Sequence, residues 1–116
     1  MKTKFMFLTI AFFLLSLTLA AMDGKIKETQ FKVSGNCGMC KTRIEKAMKI
    51  SEVKFAKWDK TTKLLKVAFV ADAMTQDSLQ KRLAFVGHDT EQFKAVDSVY
   101  AALPPCCLYR GADKTH

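Results

Sequence analysis

The chain has 116 residues, which is enough for one domain and too few for two. Hydrophobic residues make up 49% of it and aromatic residues 10%, so it can form a core and is not wholly disordered. A domain of this size leaves little room for a deep catalytic cleft, and we predict that it is not an enzyme. The net charge of +8 could suit nucleic acid, but the lysines are scattered singly, so we predict no nucleic-acid partner.

The first residues predict a secretory signal peptide over residues 1–21. A short basic start precedes an uncharged apolar run from Phe5 to Met22, and the small residues Ala20 and Ala21 suit a signal peptidase. A retained membrane anchor is the alternative, because about 18 apolar residues is also the lower limit for a spanning helix. We therefore expect an exported, periplasmic protein without stable membrane insertion after cleavage, or a membrane-anchored one if the signal is retained.

Side-chain periodicity after the signal predicts six elements in the order strand, helix, strand, strand, helix, strand. Alternating apolar and polar residues indicate the strands, and apolar residues three and four positions apart indicate the helices. The predicted elements span residues 25–34, 39–50, 53–59, 65–69, 76–86 and 90–96.

The second predicted helix has signals at both ends. Thr75 is placed to cap its start, Asp77 favours the helix dipole, and Gly87 is placed to end it. The order of elements is that of a ferredoxin-like α+β sandwich, with two helices on one face of a four-stranded antiparallel sheet. We predict this domain over residues 22–96, followed by a C-terminal extension over residues 97–116.

Cys37 and Cys40 form a C-x-x-C motif where the first strand meets the first helix. Unpaired N–H groups and the positive end of the helix favour anionic sulfur there, and Lys41 and Arg43 add positive charge, so we expect thiolates to form readily. Thiolates are the ligands that soft metal ions select. Two thiolates on an exposed loop suit Cu(I) or Hg(II), whereas Zn(II) usually takes four ligands in a closed site.

The segment FKVSGNCGMCKTRIEKA, residues 31–47, resembles the metal-binding stretch of heavy-metal-associated domains. That family includes copper chaperones, the N-terminal domains of copper-transporting P-type ATPases and periplasmic mercury-binding proteins. The resemblance covers about residues 25–96, and Gly87-His88-Asp89 is similar to the family's Gly-Tyr-Asp loop beside the metal loop. It implies that Cys37 and Cys40 bind the metal.

Two positions depart from the family pattern. The family usually has methionine two residues before the first cysteine, where this chain has Gly35, so we expect a less rigid loop. Met39 lies between the cysteines instead, and we favour core packing for it over a role as a soft Cu(I) ligand. His88 stands where tyrosine is common, either as a solvent-exposed loop residue, which we favour, or close to the thiolates, as a third metal ligand or as a hydrogen-bond donor beside the ligands.

The C-terminal extension carries an adjacent pair, Cys106 and Cys107. Adjacent cysteines cannot easily bond to each other without strain, so three other roles stay open. They could join Cys37 and Cys40 in a closed four-sulfur site for Zn(II) or tightly held Cu(I). They could form disulfides to the C-x-x-C loop in an oxidising compartment. They could also hold the tail in place structurally, with no role in metal binding.

Taken together, these features predict an exported, monomeric Cu(I) carrier. It would bind the ion through its C-x-x-C thiolates and hand it to a metal-transport or efflux protein by thiolate exchange. A Hg(II)- or Zn(II)-binding protein is an alternative. Another is a thiol–disulfide oxidoreductase, since C-x-x-C at a helix start is also the redox arrangement, although no proline lies between the cysteines. A domain with purely structural disulfides is the third.

Overall fold

The computed structural model describes residues 24–111. Its elements in chain order are the strand β1 (Ile26–Lys32), the helix α1 (Gly38–Ala47), the strands β2 (Val53–Trp58) and β3 (Leu64–Val70), the helices α2 (Gln76–Phe85) and α3 (Asp97–Ala101), and a 3-10 turn (Pro105–Cys107). The predicted signal peptide at residues 1–21 lies outside the described residues. Between residues 24 and 111, no helix has both the length and the apolar character needed to cross a bilayer.

The strands form an antiparallel sheet in the order β1-β3-β2, which places β3 at the centre. Leu65 on β3 lies opposite Phe31 on β1 and opposite Trp58 on β2. Residues directly across a sheet point to the same face, and all three of these side chains are buried. The chain therefore has the predicted ferredoxin-like α+β character, and the first five predicted elements are confirmed.

The core lies between this sheet face and the helices, and the C-terminal extension contributes to it. Its buried members are Phe31, Val33, Cys40, Ile44, Met48, Trp58, Leu65, Val67, Phe69, Leu79, Leu83, Leu103 and Cys107. Each large apolar side chain buried in this way contributes about 1.5–3 kcal/mol. Since Leu103 and Cys107 are among them, part of the extension is held by the same apolar burial as the sheet and helices.

The helix ends follow local signals. Thr75 Oγ1 accepts a hydrogen bond from the backbone N–H of Ser78 at 3.1 Å, as expected of the cap of α2. Gly87 follows α2 with a φ of 108°, a left-handed conformation that favours glycine. The first helix ends at Ala47, earlier than predicted, because the chain tightens into a turn at Met48.

The predicted fourth strand over residues 90–96 is wrong apart from one bridge, which pairs Thr90 with Val33 in the described part of the chain. The backbone N–H of Thr90 donates instead to the carbonyl oxygen of Phe93 at 2.8 Å, which turns the chain immediately after the bridge. The buried Gln80 Oε1 accepts a hydrogen bond from Thr90 Oγ1 at 2.9 Å. In a strand, the Thr90 N–H would pair with the neighbouring strand. Here the N–H and the hydroxyl of Thr90 bond to Phe93 and Gln80 instead, so the strand pairing does not continue.

The C-terminal extension returns over the loop that follows α2. Leu103 packs against Gly87, where an added Cβ would lie 2.8 Å from a Leu103 methyl carbon. The Tyr109 hydroxyl donates to the carbonyl oxygen of Gly87 at 2.6 Å and accepts from the N–H of Asp89 at 2.7 Å. Arg110 forms two hydrogen bonds to the Asp89 carboxylate, at 2.8 and 3.1 Å. This anchor places the cysteine pair beside the start of α1.

Candidate metal centre

All four cysteine thiols converge at the N-terminal end of α1. The Cys37 Sγ atom lies 3.5 Å from Cys40 Sγ, 3.0 Å from Cys106 Sγ and 3.5 Å from Cys107 Sγ. The sulfurs of Cys37, Cys40 and Cys107 lie within 4.8 Å of one another. All four residues are free thiols. The returning tail therefore brings Cys106 and Cys107 into one cluster with the C-x-x-C thiols.

The thiols differ in exposure. Cys37 is the N-cap of α1 and Cys40 lies in its first turn, where the backbone N–H of Asn36 points to Cys40 Sγ at 3.4 Å. Cys40 and Cys107 are fully buried, whereas Cys37 and Cys106 are partly exposed. The prediction that both thiols of the C-x-x-C motif are exposed is therefore wrong for Cys40, because the returning tail packs against the start of α1.

A tryptophan holds the loop that precedes the motif. A Cβ on Gly35 would lie 3.0 Å from Cys40 Cβ and 3.1 Å from two ring carbons of Trp58. The Trp58 Nε1 donates to the carbonyl oxygen of Val33 at 2.9 Å, and Lys63 Nζ donates to that of Gly35 at 2.6 Å. The Trp58 ring therefore fills the space beside Gly35 and supports the loop that lacks the family's usual methionine.

The Cys37 thiol ionises more readily than a free cysteine. Partial burial would raise its pKa, but hydrogen bonds with Cys106, the backbone N–H of Cys40 and the Cys107 thiol outweigh burial and lower the pKa to about 6. Since only a protonated thiol can donate, the hydrogen at the 3.0 Å contact lies on Cys106 once Cys37 is ionised. Burial, together with hydrogen bonding to Cys40, raises the pKa of Cys107. Cys37 is therefore mostly a thiolate at neutral pH.

Of the two basic residues near the motif, Arg43 contacts the thiol cluster directly. Arg43 Nη1 lies 3.4 Å from Cys107 Sγ. Lys41 pairs with Glu45 and donates to the carbonyl oxygen of Trp58 at 2.9 Å. The Lys41 ammonium is therefore bound by Glu45, one helical turn away, and makes no direct contact with a thiol among the described residues.

His88 is buried beside the same loop, so its interpretation as a solvent-exposed residue is wrong. Its Nδ1 donates to the carbonyl oxygen of Ser34 at 2.8 Å, because a carbonyl can only accept, and the ring stacks on Tyr109. Burial lowers the pKa of His88, which keeps the ring neutral at physiological pH. Neither ring nitrogen belongs to the 4.8 Å group of ligand atoms, so the structure places His88 in support of the loop.

Met39 is 53% exposed, so its favoured interpretation as a core residue is wrong. Its position near the start of α1 points the side chain outward, toward the tail. The Met39 Sδ atom lies 3.5 Å from Cys106 Sγ. The thioether therefore borders the thiol cluster on its exposed side.

The contacts that anchor the tail were not predicted from the sequence. Besides its bonds to Asp89, Arg110 donates to Asp97 Oδ1 at 2.9 Å and lies over the Tyr100 ring at 4.3 Å. Arg110 follows the cysteine pair closely in sequence, but its partners come from the loop after α2 and from α3. No spacing rule identifies such a partner set, because the chain must fold before the groups meet.

The sulfur spacing indicates how many ligands the site can offer to one ion. At a metal–sulfur bond of about 2.3 Å, two sulfurs on opposite sides of an ion lie about 4.6 Å apart, and three around it about 4.0 Å apart. The 3.5 Å distances from Cys37 to Cys40 and to Cys107 are well below the two-coordinate value and close to the separations in three-coordinate and tetrahedral sites, the latter about 3.8 Å. The centre can therefore surround a soft ion with three sulfurs after a small expansion.

No protein-family model matches the chain, and no curated protein does. Solved structures do match it. A CopZ metallochaperone is 21% identical with a TM-score of 0.53, covering 55% of this chain and 98% of that one. The N-terminal domain of a potential copper-translocating P-type ATPase from Bacillus subtilis, in its Cu(I)-loaded state, is 22% identical with a TM-score of 0.54, covering 65% and 96%.

A third structure, a copper form of a CopA variant from Bacillus subtilis, is 25% identical with a TM-score of 0.51, covering 60% of this chain and 93% of that one. These likenesses show that the chain has the fold of these three proteins. Each structure is matched over nearly its whole length, while a substantial part of this chain lies outside every match.

Proposed function

We propose that the protein belongs to the heavy-metal-associated family and is a Cu(I) carrier that binds the ion through Cys37, Cys40 and Cys107. The convergence of these three sulfurs within 4.8 Å at the start of α1 is the observation that carries the proposal. The positive end of the helix and the Arg43 guanidinium offset the charge of the thiolates. The resemblance of the C-x-x-C segment and the fold of copper-binding proteins support the same conclusion.

The choice of Cu(I) follows from the ligands. Thiolates select soft ions, and a three-sulfur environment satisfies Cu(I), whereas structural Zn(II) is almost always four-coordinate. Hg(II) shares the preference for sulfur and is the alternative cargo. Direct competition between these ions for the same thiols separates the possibilities.

Transfer would begin at Cys37. This residue is partly exposed and mostly ionised at neutral pH, so it can carry the ion at the edge of the site. A thiolate of the partner adds to the bound ion before one of the carrier's sulfur–copper bonds breaks, and the ion is never released to water. The positive net charge favours docking on an acidic surface of a metal-transport protein. We propose that the carrier acts as a monomer.

We also propose that the carrier is exported to the periplasm, on the basis of the basic start and apolar run at residues 1–21. N-terminal sequencing of the protein purified from its native compartment tests this. A new N-terminus after Ala20 or Ala21 would support cleavage. An intact start in the membrane fraction would show a retained anchor.

An anaerobic titration of the reduced protein with Cu(I) against a competing chelator tests the carrier proposal, with Zn(II) and Hg(II) in parallel. We expect tight Cu(I) binding that is lost in the Cys37→Ser/Cys40→Ser variant and weakened in Cys107→Ser. Thr42→Ala, a change on the exposed face of α1, should bind as the wild type does. A wild type that binds no Cu(I), or a double variant that binds it equally well, would overturn the proposal.

A thiol–disulfide oxidoreductase remains the second candidate because Cys37 has a pKa of about 6 and contacts another thiol at 3.0 Å. An insulin-reduction assay separates the two functions. The carrier proposal predicts no turnover above the background reaction with the reductant. Turnover that Cys37→Ser abolishes would favour the redox function.

A further inference from the structure

Two sulfur atoms border the proposed copper site without belonging to its three-thiol group. Cys106 Sγ lies 3.0 Å from Cys37 Sγ, and Met39 Sδ lies 3.5 Å from Cys106 Sγ. The Met39 side chain is 53% exposed, and Cys106 is partly exposed. The five sulfurs therefore form an inner, buried side at Cys40 and Cys107 and an outer, exposed side at Cys106 and Met39, with Cys37 between them.

We propose that the centre holds two Cu(I) ions. The inner ion is bound by Cys37, Cys40 and Cys107, and the outer ion by Cys37, Cys106 and Met39. The Cys37 thiolate bridges the two ions, since a thiolate sulfur has more than one lone pair to donate. This inference rests on the proposed function, because the inner ion is the copper of that proposal.

The positions of the sulfurs favour two ions over one ion in a closed four-sulfur site. Cys106 is not a member of the 4.8 Å group formed by the other three thiols, and its closest sulfur contacts are with Cys37 and Met39. A tetrahedral thiolate site would need all four sulfurs about 3.8 Å apart at a bond of about 2.3 Å. Cys37 lies within 3.5 Å of Cys40, Cys106 and Cys107, so its sulfur is near enough to the ligands of both proposed ions to be shared between them.

The ligand types also suit an outer soft ion. A thioether is a neutral, polarizable donor, so Met39 binds Cu(I) while adding no negative charge to a centre that already holds four thiols. Zn(II) binds a thioether much more weakly than Cu(I) does, so the outer position is selective for a softer ion. A second monovalent cation also balances thiolate charge that Arg43 alone leaves unpaired.

The sulfurs of Cys106 and Cys107 lie 3.9 Å apart, but the fold gives them different neighbours. Both lie in the 3-10 turn Pro105–Cys107, where the N–H of Cys107 donates to the carbonyl oxygen of Pro104 at 2.8 Å. This turn points Cys107 inward, where it is fully buried, and leaves Cys106 toward Met39. Adjacent cysteines in such a turn can serve two ions, one on each side of Cys37.

The test counts copper per chain. Reduced full-length mature protein is loaded anaerobically with Cu(I) in the presence of a competing chelator and measured by native mass spectrometry. We expect two Cu(I) ions on the monomer, and one on the Met39→Leu and Cys106→Ser variants. Met48→Leu is the matched control, because Met48 is a core methionine and should leave two ions bound.

A second measurement follows the methionine methyl groups by NMR during the titration. The Met39 methyl signal should move only with the second equivalent of Cu(I), while the Met48 and Met74 signals show no such step. One ion at saturation in the wild type, two ions in both outer-site variants, or a second ion found only in dimers would overturn the inference. A protein that binds no Cu(I), or binds it without Cys37 and Cys40, would instead overturn the proposed function.

Discussion

At the residue scale, Cys37 has the central position in the thiol cluster. It contacts the three other cysteines at 3.0 to 3.5 Å and also caps α1. These neighbours lower its pKa by hydrogen bonding to the thiolate, although its partial burial opposes this. Cys37 is thus the thiol that an incoming ion or a partner thiolate meets in its reactive form.

This charge state can be measured by alkylation. In the apoprotein, the rate at which iodoacetamide modifies Cys37 should rise with pH around a midpoint of about 6. Cys106→Ala should move the midpoint upward, because the thiolate loses a hydrogen-bond donor. Peptide mass spectrometry identifies the modified residue. Thr42→Ala is the control, and its midpoint should equal that of the wild type. A midpoint near that of free cysteine in the wild type would contradict the assignment.

His88 makes the stability of the fold depend on pH. Burial lowers the pKa of His88 in the folded state, whereas an unfolded histidine takes up a proton near pH 6.5. The unfolded state therefore binds more protons below that pH, and the free energy of unfolding should fall as the pH drops from about 6.5 toward the folded pKa. His88 changes the free energy of unfolding by at most about 1.4 kcal/mol per pH unit.

Urea denaturation of the apoprotein between pH 7 and pH 5 checks this contribution. His88→Gln retains a donor for the Ser34 carbonyl oxygen but cannot titrate, so its stability should depend less steeply on pH than that of the wild type. Equal slopes in the two proteins would show that folding leaves the pKa of His88 unchanged.

At the scale of elements, the C-terminal extension depends on Arg110. Its guanidinium binds Asp89 through two hydrogen bonds, and the side chains of both residues are largely buried. A planar guanidinium matches a carboxylate in this way, whereas a lysine ammonium acts as a point charge. The anchor joins the extension to the loop after α2 and so holds the 3-10 turn beside α1.

Replacing this side chain should release the extension. Arg110→Ala should lower the free energy of unfolding by about 1 to 3 kcal/mol, since hydrogen bonds to a charged group are lost. It should also make the buried Cys107 thiol accessible to alkylation in the folded protein. Urea denaturation and thiol labelling measure the two effects, and Arg110→Lys should give intermediate values. Continued protection of Cys107 in Arg110→Ala would show that apolar packing alone holds the tail.

At the scale of the whole molecule, the proposed metal binding would be coupled to folding, because the proposed ligands come from both ends of the described chain. Cys37 and Cys40 lie at the first helix, whereas Cys107 lies beyond the last one. The unfolded chain cannot hold these sulfurs together, so an ion that binds all three stabilises the native state.

Cu(I) should therefore raise the free energy of unfolding. With free Cu(I) buffered at about 100 times its dissociation constant, the increase should be about 2.7 kcal/mol. Hydrogen exchange should slow at the 3-10 turn Pro105–Cys107 as well as at α1. Cys107→Ser should lose the added protection at the turn while retaining some at α1. Protection confined to α1 in the wild type would mean that the tail takes no part in binding.

The sequence by itself determined the features that depend on neighbouring residues. Alternation and helical spacing identified β1 to β3 and the two longer helices, and Thr75 and Gly87 marked the ends of α2. The C-x-x-C motif likewise identified the cysteines at the start of α1. These predictions succeeded because strand periodicity, capping and helix polarity act over a few residues, which the sequence displays directly.

Only the tertiary structure decided the features that depend on distant groups. Side-chain contacts with Gln80 replace the last predicted strand. His88 is buried under Tyr109, and Met39 faces the tail thiol Cys106. The returning tail adds its sulfurs to the two-cysteine motif and so forms a cluster. This return depends on Arg110, whose partners come from separate segments. Such contacts arise from the packing of the whole chain, and no local spacing in the sequence encodes them.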